Sequence, residues 1–118
     1  MGITSKYLTV KESRKADKAV EVEFMIDSGT IYSLVPGKVL DEIGVETHRN
    51  VSFSLADGTS ISRRVGEAYF EMDGEGATAP VIYGEDGDSP LLGATTLEVM
   101  GLALNPLKRE LYPMRMSL

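Results

Sequence analysis

Apolar and polar residues alternate through residues 19–26, AVEVEFMI, with Val20, Val22, Phe24 and Ile26 on one side and Glu21, Glu23 and Met25 on the other. A period of two predicts a half-buried strand. The strand stops at a carboxylate, Asp27, which is followed by the small residues Ser28, Gly29 and Thr30. In PGKVLDEIG, 36–44, the period lengthens. Val39, Leu40 and Ile43 form one side of a short predicted helix that Pro36 opens and Gly44 stops.

Alternation returns at 50–55, NVSFSL, through Val51, Phe53 and Leu55. ADGT, 56–59, predicts a hairpin turn, because Asp-Gly accepts the positive φ that such turns need. The return strand is expected over 60–72, with DGEG, 73–76, as the next turn. TAPVIYG, 78–84, reads as a short strand whose Pro80, having no N–H, favours an edge or a strand start. EDGDS, 85–89, is an expected loop, and PLLG, 90–93, a short apolar strand. ATTLEVM, 94–100, predicts a short helix with Thr95 and Glu98 at capping-box spacing and Gly101 as its stop. LALNPLKRELYP, 102–113, predicts a strand, an Asn-Pro turn and a last strand. About seven strands and two short helices make the expected class all-β.

One pattern occurs twice. LDEIGV, 40–45, and LEVMGL, 97–102, each follow an apolar strand that ends in small residues, MIDSG and PLLGA. Two similar half-units suggest an internally two-fold fold.

With 118 residues the chain is expected to form a single domain over 1–118. That length buries a core without help from disulfides or metal. Hydrophobic residues at 42% and charged residues at 25% are ordinary for a globular protein, and twelve glycines fit many tight turns. A net charge of −6 argues against nucleic acid as a partner, since that needs a cationic face. The basic run KESRKADK, 11–18, reads as a solvated loop or strand edge. There are no cysteines, which excludes disulfides, thiolate catalysis and zinc–thiolate sites. No apolar run is long enough for a membrane helix. The first residues lack the apolar core of a signal peptide, and Lys6 stands where a myristoylation motif has Ser or Thr. The expected address is the cytoplasm.

Asp27 is the position that asks for an explanation. An ionised carboxylate is costly to bury without partners, so an acid ending a buried strand is either a solvated turn residue or a group with work to do. Asp-Ser-Gly is good turn chemistry by itself. Three stretches in order change the balance: MIDSGT (25–30), ADGTS (56–60) and PLLGATTLE (90–98). Together they resemble the retropepsin-like aspartic proteases, the retroviral-protease type, in their single-domain cellular and prokaryotic form. In that family an Asp-Thr/Ser-Gly loop ends a strand, a β-hairpin folds over the active site, and a later apolar-apolar-Gly element with a short helix packs behind the loop. The resemblance covers roughly residues 18–113. Thr30 stands where the viral enzymes usually have Ala, and the hairpin tip lacks their glycine-rich flap.

The resemblance implies a closed β-barrel of the acid-protease type with one or two short helices, and an aspartic endopeptidase activity without cofactor or metal. Such hydrolysis places a water between two carboxyl groups, one taking its proton and the other polarising the peptide carbonyl. Two carboxyls about 3 Å apart share one proton. This chain carries one Asp-Ser-Gly, and LLGA at 91–94 has no acid. The second carboxylate must come from Asp27 of another copy, which implies a homodimer with the site on its two-fold axis. By the same resemblance Ser28 donates a hydrogen bond across the axis, Gly29 allows a tight turn that brings its N–H toward the dyad, and Thr30 bonds the outer oxygen of Asp27. Asp57, Gly58 and Thr59 would lie at the flap tip over a peptide substrate, and Leu91, Leu92 and Gly93 would support the loop from behind.

The remaining polar residues carry less. Asp86 and Asp88 lack EF-hand spacing and its closing Glu, so a solvated loop is expected there. His48, the sole histidine, has no G-x-S-x-G elbow to serve and is expected at the surface. The competing function is a catalytically silent binding or dimerisation module on the same fold, since one scaffold hosts many functions.

Overall fold

The computed structural model describes residues 4–105, 107–115, 117 and 118. Nine strands and two helices occur among them, in the order β1 (Ser5–Lys11), β2 (Ala19–Ile26), β3 (Ser33–Pro36), α1 (Gly37–Ile43), β4 (Arg49–Ser54), β5 (Ser60–Met72), β6 (Glu75–Gly84), β7 (Leu91–Leu92), α2 (Ala94–Val99), β8 (Leu102–Asn105) and β9 (Glu110–Pro113). The protein is mainly β, as the alternating pattern predicts. β2 and β5 start and stop where their sequence signals place them.

Seven strands make one sheet in the order β1-β2-β7-β3-β6-β5-β4, and β1 also pairs with β5 through Thr9↔Glu71, Val10↔Phe70 and Lys11↔Tyr69. The strand pairings therefore run in a ring from which β4 projects as a hairpin partner of β5. β8 and β9 form a separate two-stranded sheet. Inside the ring, Val22, Phe24 and Ile26 of β2 are buried together with Leu8, Val10, Phe70, Val81 and Leu92. The rings of Phe24 and Phe70 meet at 5.9 Å with a tilt of 57°. Truncating either to alanine removes a large buried surface and leaves a cavity, a loss of about 3–5 kcal/mol.

Two strands escape the sequence pattern. β1 buries only Leu8 and Val10 inside a mostly polar stretch. β3 is four residues long and ends on proline, so its extended conformation is fixed by neighbours: Ser33↔Val81 to Pro36↔Gly84 with β6, in parallel, and Leu34↔Leu91 with β7. Helix α1 consequently starts at Gly37, with Pro36 as its N-cap, and closes at Gly44 with φ 84°. That left-handed conformation is one glycine adopts without strain.

The turns differ from expectation in detail. The β5–β6 connection is two residues, Asp73 and Gly74, both at positive φ (54° and 82°), with Glu75 and Gly76 already in β6. That is the hairpin geometry whose twist matches its strands. Pro80 lies inside β6, where β5 pairs along one side and β3 joins the other only from Val81 onward. The missing N–H thus falls beside an open edge. The capping box at α2 is absent: the N-cap is Gly93, with no side-chain cap. The amides of Ala94 and Thr95 donate instead to the carbonyls of Thr30 and Ile31, at 2.6 and 3.1 Å. Pro106 of the expected Asn-Pro turn lies outside the described residues.

Candidate active site

β2 delivers Asp27 to the sheet's interior edge. Its neighbour β7 runs parallel, with Met25↔Leu91 and Ile26↔Leu92 in register, and the Asp27 amide donates to the Leu92 carbonyl at 3.0 Å. The chain then reverses, with Thr30 N–H donating to Asp27 C=O at 3.2 Å. The turn points two donors at its own acid. Gly29 N–H donates to Asp27 Oδ1 at 2.9 Å, and Thr30 Oγ1 donates to Oδ2 at 2.9 Å. Each carboxylate oxygen so holds one donor from the loop and keeps lone pairs free for water or another group. Asp27 is half-buried and Ser28 and Gly29 are exposed. A Cβ at position 29 would sit 3.2 Å from Asp27 Oδ1, tighter than the loop accommodates without moving the acid.

Behind the loop lies a polar clamp that the sequence pattern did not single out. Ser33 and Thr96 are completely buried. Ser33 Oγ accepts from Gly93 N–H at 2.9 Å and shares a 2.5 Å hydrogen bond with Thr96 Oγ1. With the two amide bonds from α2 to Thr30 and Ile31, this ties the start of α2 to the later half of the loop, residues 30–33. Gly93 makes the approach possible: a Cβ there would meet the Tyr32 carbonyl oxygen at 2.6 Å and that of Thr30 at 2.8 Å. Leu92 is fully buried against the core. The signal for the clamp was a small polar residue on the buried side of an apolar run. Its meaning depends on a partner 63 residues away.

Asp57, Gly58 and Thr59 are exposed at the β4–β5 tip. The Asp57 carboxylate accepts from Thr59 Oγ1 at 2.6 Å and from Thr59 N–H at 3.0 Å. These bonds hold it below the usual carboxylate range, the hydroxyl contributing most. Gly58 sits at φ 89°. The cleft beside Asp27 is lined by Gly29, Thr30, Ile31 and Tyr32 and, from the hairpin, by Val51, Phe53 and Ser54. The strand β4, rather than the tip, faces the loop. On its other side Ser28 borders a recess shared with Leu97, Leu102 and Met114, toward the β8–β9 sheet.

Of the other polar candidates, His48 is half-exposed and its Nε2 lies 2.8 Å from Glu67. Asp88 pairs with Arg63 across the 85–88 loop. Among the described residues no three His, Asp or Glu side chains converge to hold a metal, and no helix is long and apolar enough to cross a membrane.

No protein-family model and no curated protein sequence matches the chain. Solved structures match along most of its length. EIAV protease, in complex with the inhibitor HBY-793, superposes with a TM-score of 0.62 at 13% identity, covering 88% of this chain and 93% of that one. The retroviral protease-like domain of Ddi1 from Leishmania major gives 0.56 at 14% identity, over 98% of this chain and 92% of the other. Simian Foamy Virus (mac) protease gives 0.52 at 17% identity, over 79% and 92%. The chain has the retropepsin-like fold. The likeness is one of backbone architecture, and in it the strand-end loop that carries Asp27 is paired with the apolar Leu91-Leu92-Gly93 element.

Proposed function

We propose that this protein is an aspartic endopeptidase that works as a homodimer. The observation that carries the reading is the Asp27 carboxylate at the end of a core strand, oriented by Gly29 N–H and Thr30 Oγ1 at 2.9 Å each. A turn acid in solvent needs neither the clamp behind it nor the fold around it. The loop supplies one carboxylate, and the element alongside it, LLGA, supplies none, so a second Asp27 completes the pair. In the dimer the two acids hold a water between them. One accepts its proton as it attacks the peptide carbonyl, and the other protonates that carbonyl oxygen, so the tetrahedral intermediate carries no isolated charge. Return of a proton to the leaving nitrogen breaks the C–N bond. Ser28, exposed at the loop apex, bonds its counterpart across the axis, and the hairpin tip with Asp57, Gly58 and Thr59 covers an extended peptide. The ring of strand pairings is a closed barrel on this reading, and it gives the loop a rigid seat.

Incubating the protein with a mixed peptide library at acidic pH, with and without pepstatin, tests the activity. Pepstatin-sensitive cleavage that disappears in Asp27→Asn, with the melting transition kept, is the expected result. Unchanged cleavage by Asp27→Asn would move the active site elsewhere. Absence of cleavage by a dimeric wild-type protein would leave a binding module on the same scaffold.

A further inference from the structure

The cleft beside Asp27 has a volume of about 490 Å3 and is lined by apolar side chains, chiefly Ile31, Tyr32, Val51, Phe53 and Ile82. Ile31 is 68% exposed although it is large and apolar. Tyr32 and Phe53 face each other edge to face across the cleft, with centroids 5.9 Å apart. Side chains alternate along a strand, so the row that presents Val51 and Phe53 continues to Arg49 at the start of β4. Arg49 does not itself line the cleft but adjoins its wall, its Nη2 donating to the hydroxyl of the lining Tyr32 at 3.1 Å.

Two guanidinium groups share this face. Arg63 lies opposite Val51 on β5 and is occupied by Asp88, through contacts of 2.9 and 3.3 Å. Arg49 is not neutralised in this way. Among the described residues no carboxylate pairs with it, and its hydrogen bond is to a neutral phenol. A guanidinium has five N–H donors in a planar fork that fits a carboxylate with two parallel bonds. The cleft is thus an apolar trough with one guanidinium free of a carboxylate beside its Tyr32 wall.

We propose that the cleft selects peptide segments carrying a bulky apolar side chain with a carboxylate two residues from it, and that Arg49 is the specificity-determining residue for the acid. The inference rests on the peptidase reading and names its substrate class. The spacing follows from geometry: a step of two residues covers about 7 Å on β4 and on an extended substrate alike. The net charge of −6 does not oppose this at the contact, because exposed charges more than about 8 Å away are screened at physiological salt. A lysine at the same substrate position would meet the guanidinium as a like charge.

The test uses Asp27→Asn protein and the peptide acetyl-Ala-Glu-Ala-Phe-Phe-Ala-amide, its counterpart with Glu on the other side of the Phe pair, and both with Gln or Lys replacing Glu. Titrations follow the methyl resonances of Ile31 and Ile82. One of the two Glu peptides is expected to bind up to about fivefold tighter than its Gln version, as a solvent-exposed ion pair contributes, and the Lys version more weakly still. Arg49→Gln should equalise Glu and Gln binding, while Arg49→Lys retains part of the preference. Equal affinities for Glu and Gln peptides, a preference that survives Arg49→Gln, or no methyl response to any peptide would overturn the assignment. The underlying activity is read separately, as cleavage of the same peptides by wild-type protein. A Glu preference in binding without cleavage defeats the peptidase and leaves Arg49 in its role; cleavage without that preference does the reverse.

Discussion

Ser33 is small, polar and fully buried in a four-residue strand between apolar neighbours. Its hydroxyl serves two partners at once, the Gly93 amide and the Thr96 hydroxyl. Burial of a hydroxyl is unfavourable unless its hydrogen-bonding capacity is used, and here the use is to join the Asp27 loop to α2. Ser33→Ala leaves a buried N–H and a buried hydroxyl short of a partner, at a cost of about 1–3 kcal/mol. Chemical denaturation should show the midpoint falling with the slope unchanged. A loss confined to the error of the fit would mean that water replaces the hydroxyl. Asp27 itself was legible as a strand-end acid, and its two donors follow from the Gly and Thr that come after it. Arg49 and Phe53 were not legible, because which face of β4 meets the loop depends on how the hairpin packs.

At the scale of elements, the 85–88 loop is fastened to β5 by Arg63 and Asp88, whose contacts also include the Glu85 amide donating to Asp88 at 2.9 Å. The hydrogen bond from Arg63 holds the Asp88 carboxyl below its ordinary value of 3.8, against a partial opposing effect of burial. A carboxyl depressed in the folded state stabilises it fully above the unfolded value, and that contribution is lost as pH falls through the folded value. Thermal unfolding of wild-type protein should therefore decline more steeply than that of Asp88→Asn as pH drops from about 6 to about 3. Parallel curves for the two proteins would show that the pair adds nothing to the fold. The sequence predicts a solvated loop here, which holds for Asp86 but not for Asp88. Its partner lies 25 residues earlier, beyond the reach of any local pattern.

For the whole molecule, the predicted working unit is two chains of 12.8 kDa. Light scattering under assay conditions should give about twice the chain mass, as a C2 dimer requires. A sharper measurement mixes the variant with wild type. If each site needs one Asp27 from each chain, a large excess of Asp27→Asn draws wild-type chains into mixed dimers and suppresses their activity. Activity that stays proportional to wild-type protein, whatever the excess, would show that one chain suffices and defeat the shared site.

The sequence by itself determined the β class, the bounds of β2 and β5, the Asp-Gly hairpin and the position of the acid, because alternation, glycine and proline act over a few residues. It also determined that one chain supplies one Asp-Ser-Gly. Tertiary structure decided the rest. β3 is a strand because β6 and β7 flank it, and α2 begins without a capping box because the loop carbonyls of Thr30 and Ile31 take its first amides. The Ser33–Thr96 clamp and the row Arg49–Val51–Phe53 opposite Tyr32 exist only once distant segments meet. Backbone hydrogen bonds and buried hydroxyls must be satisfied wherever the chain places them, and a linear pattern does not say by which partner.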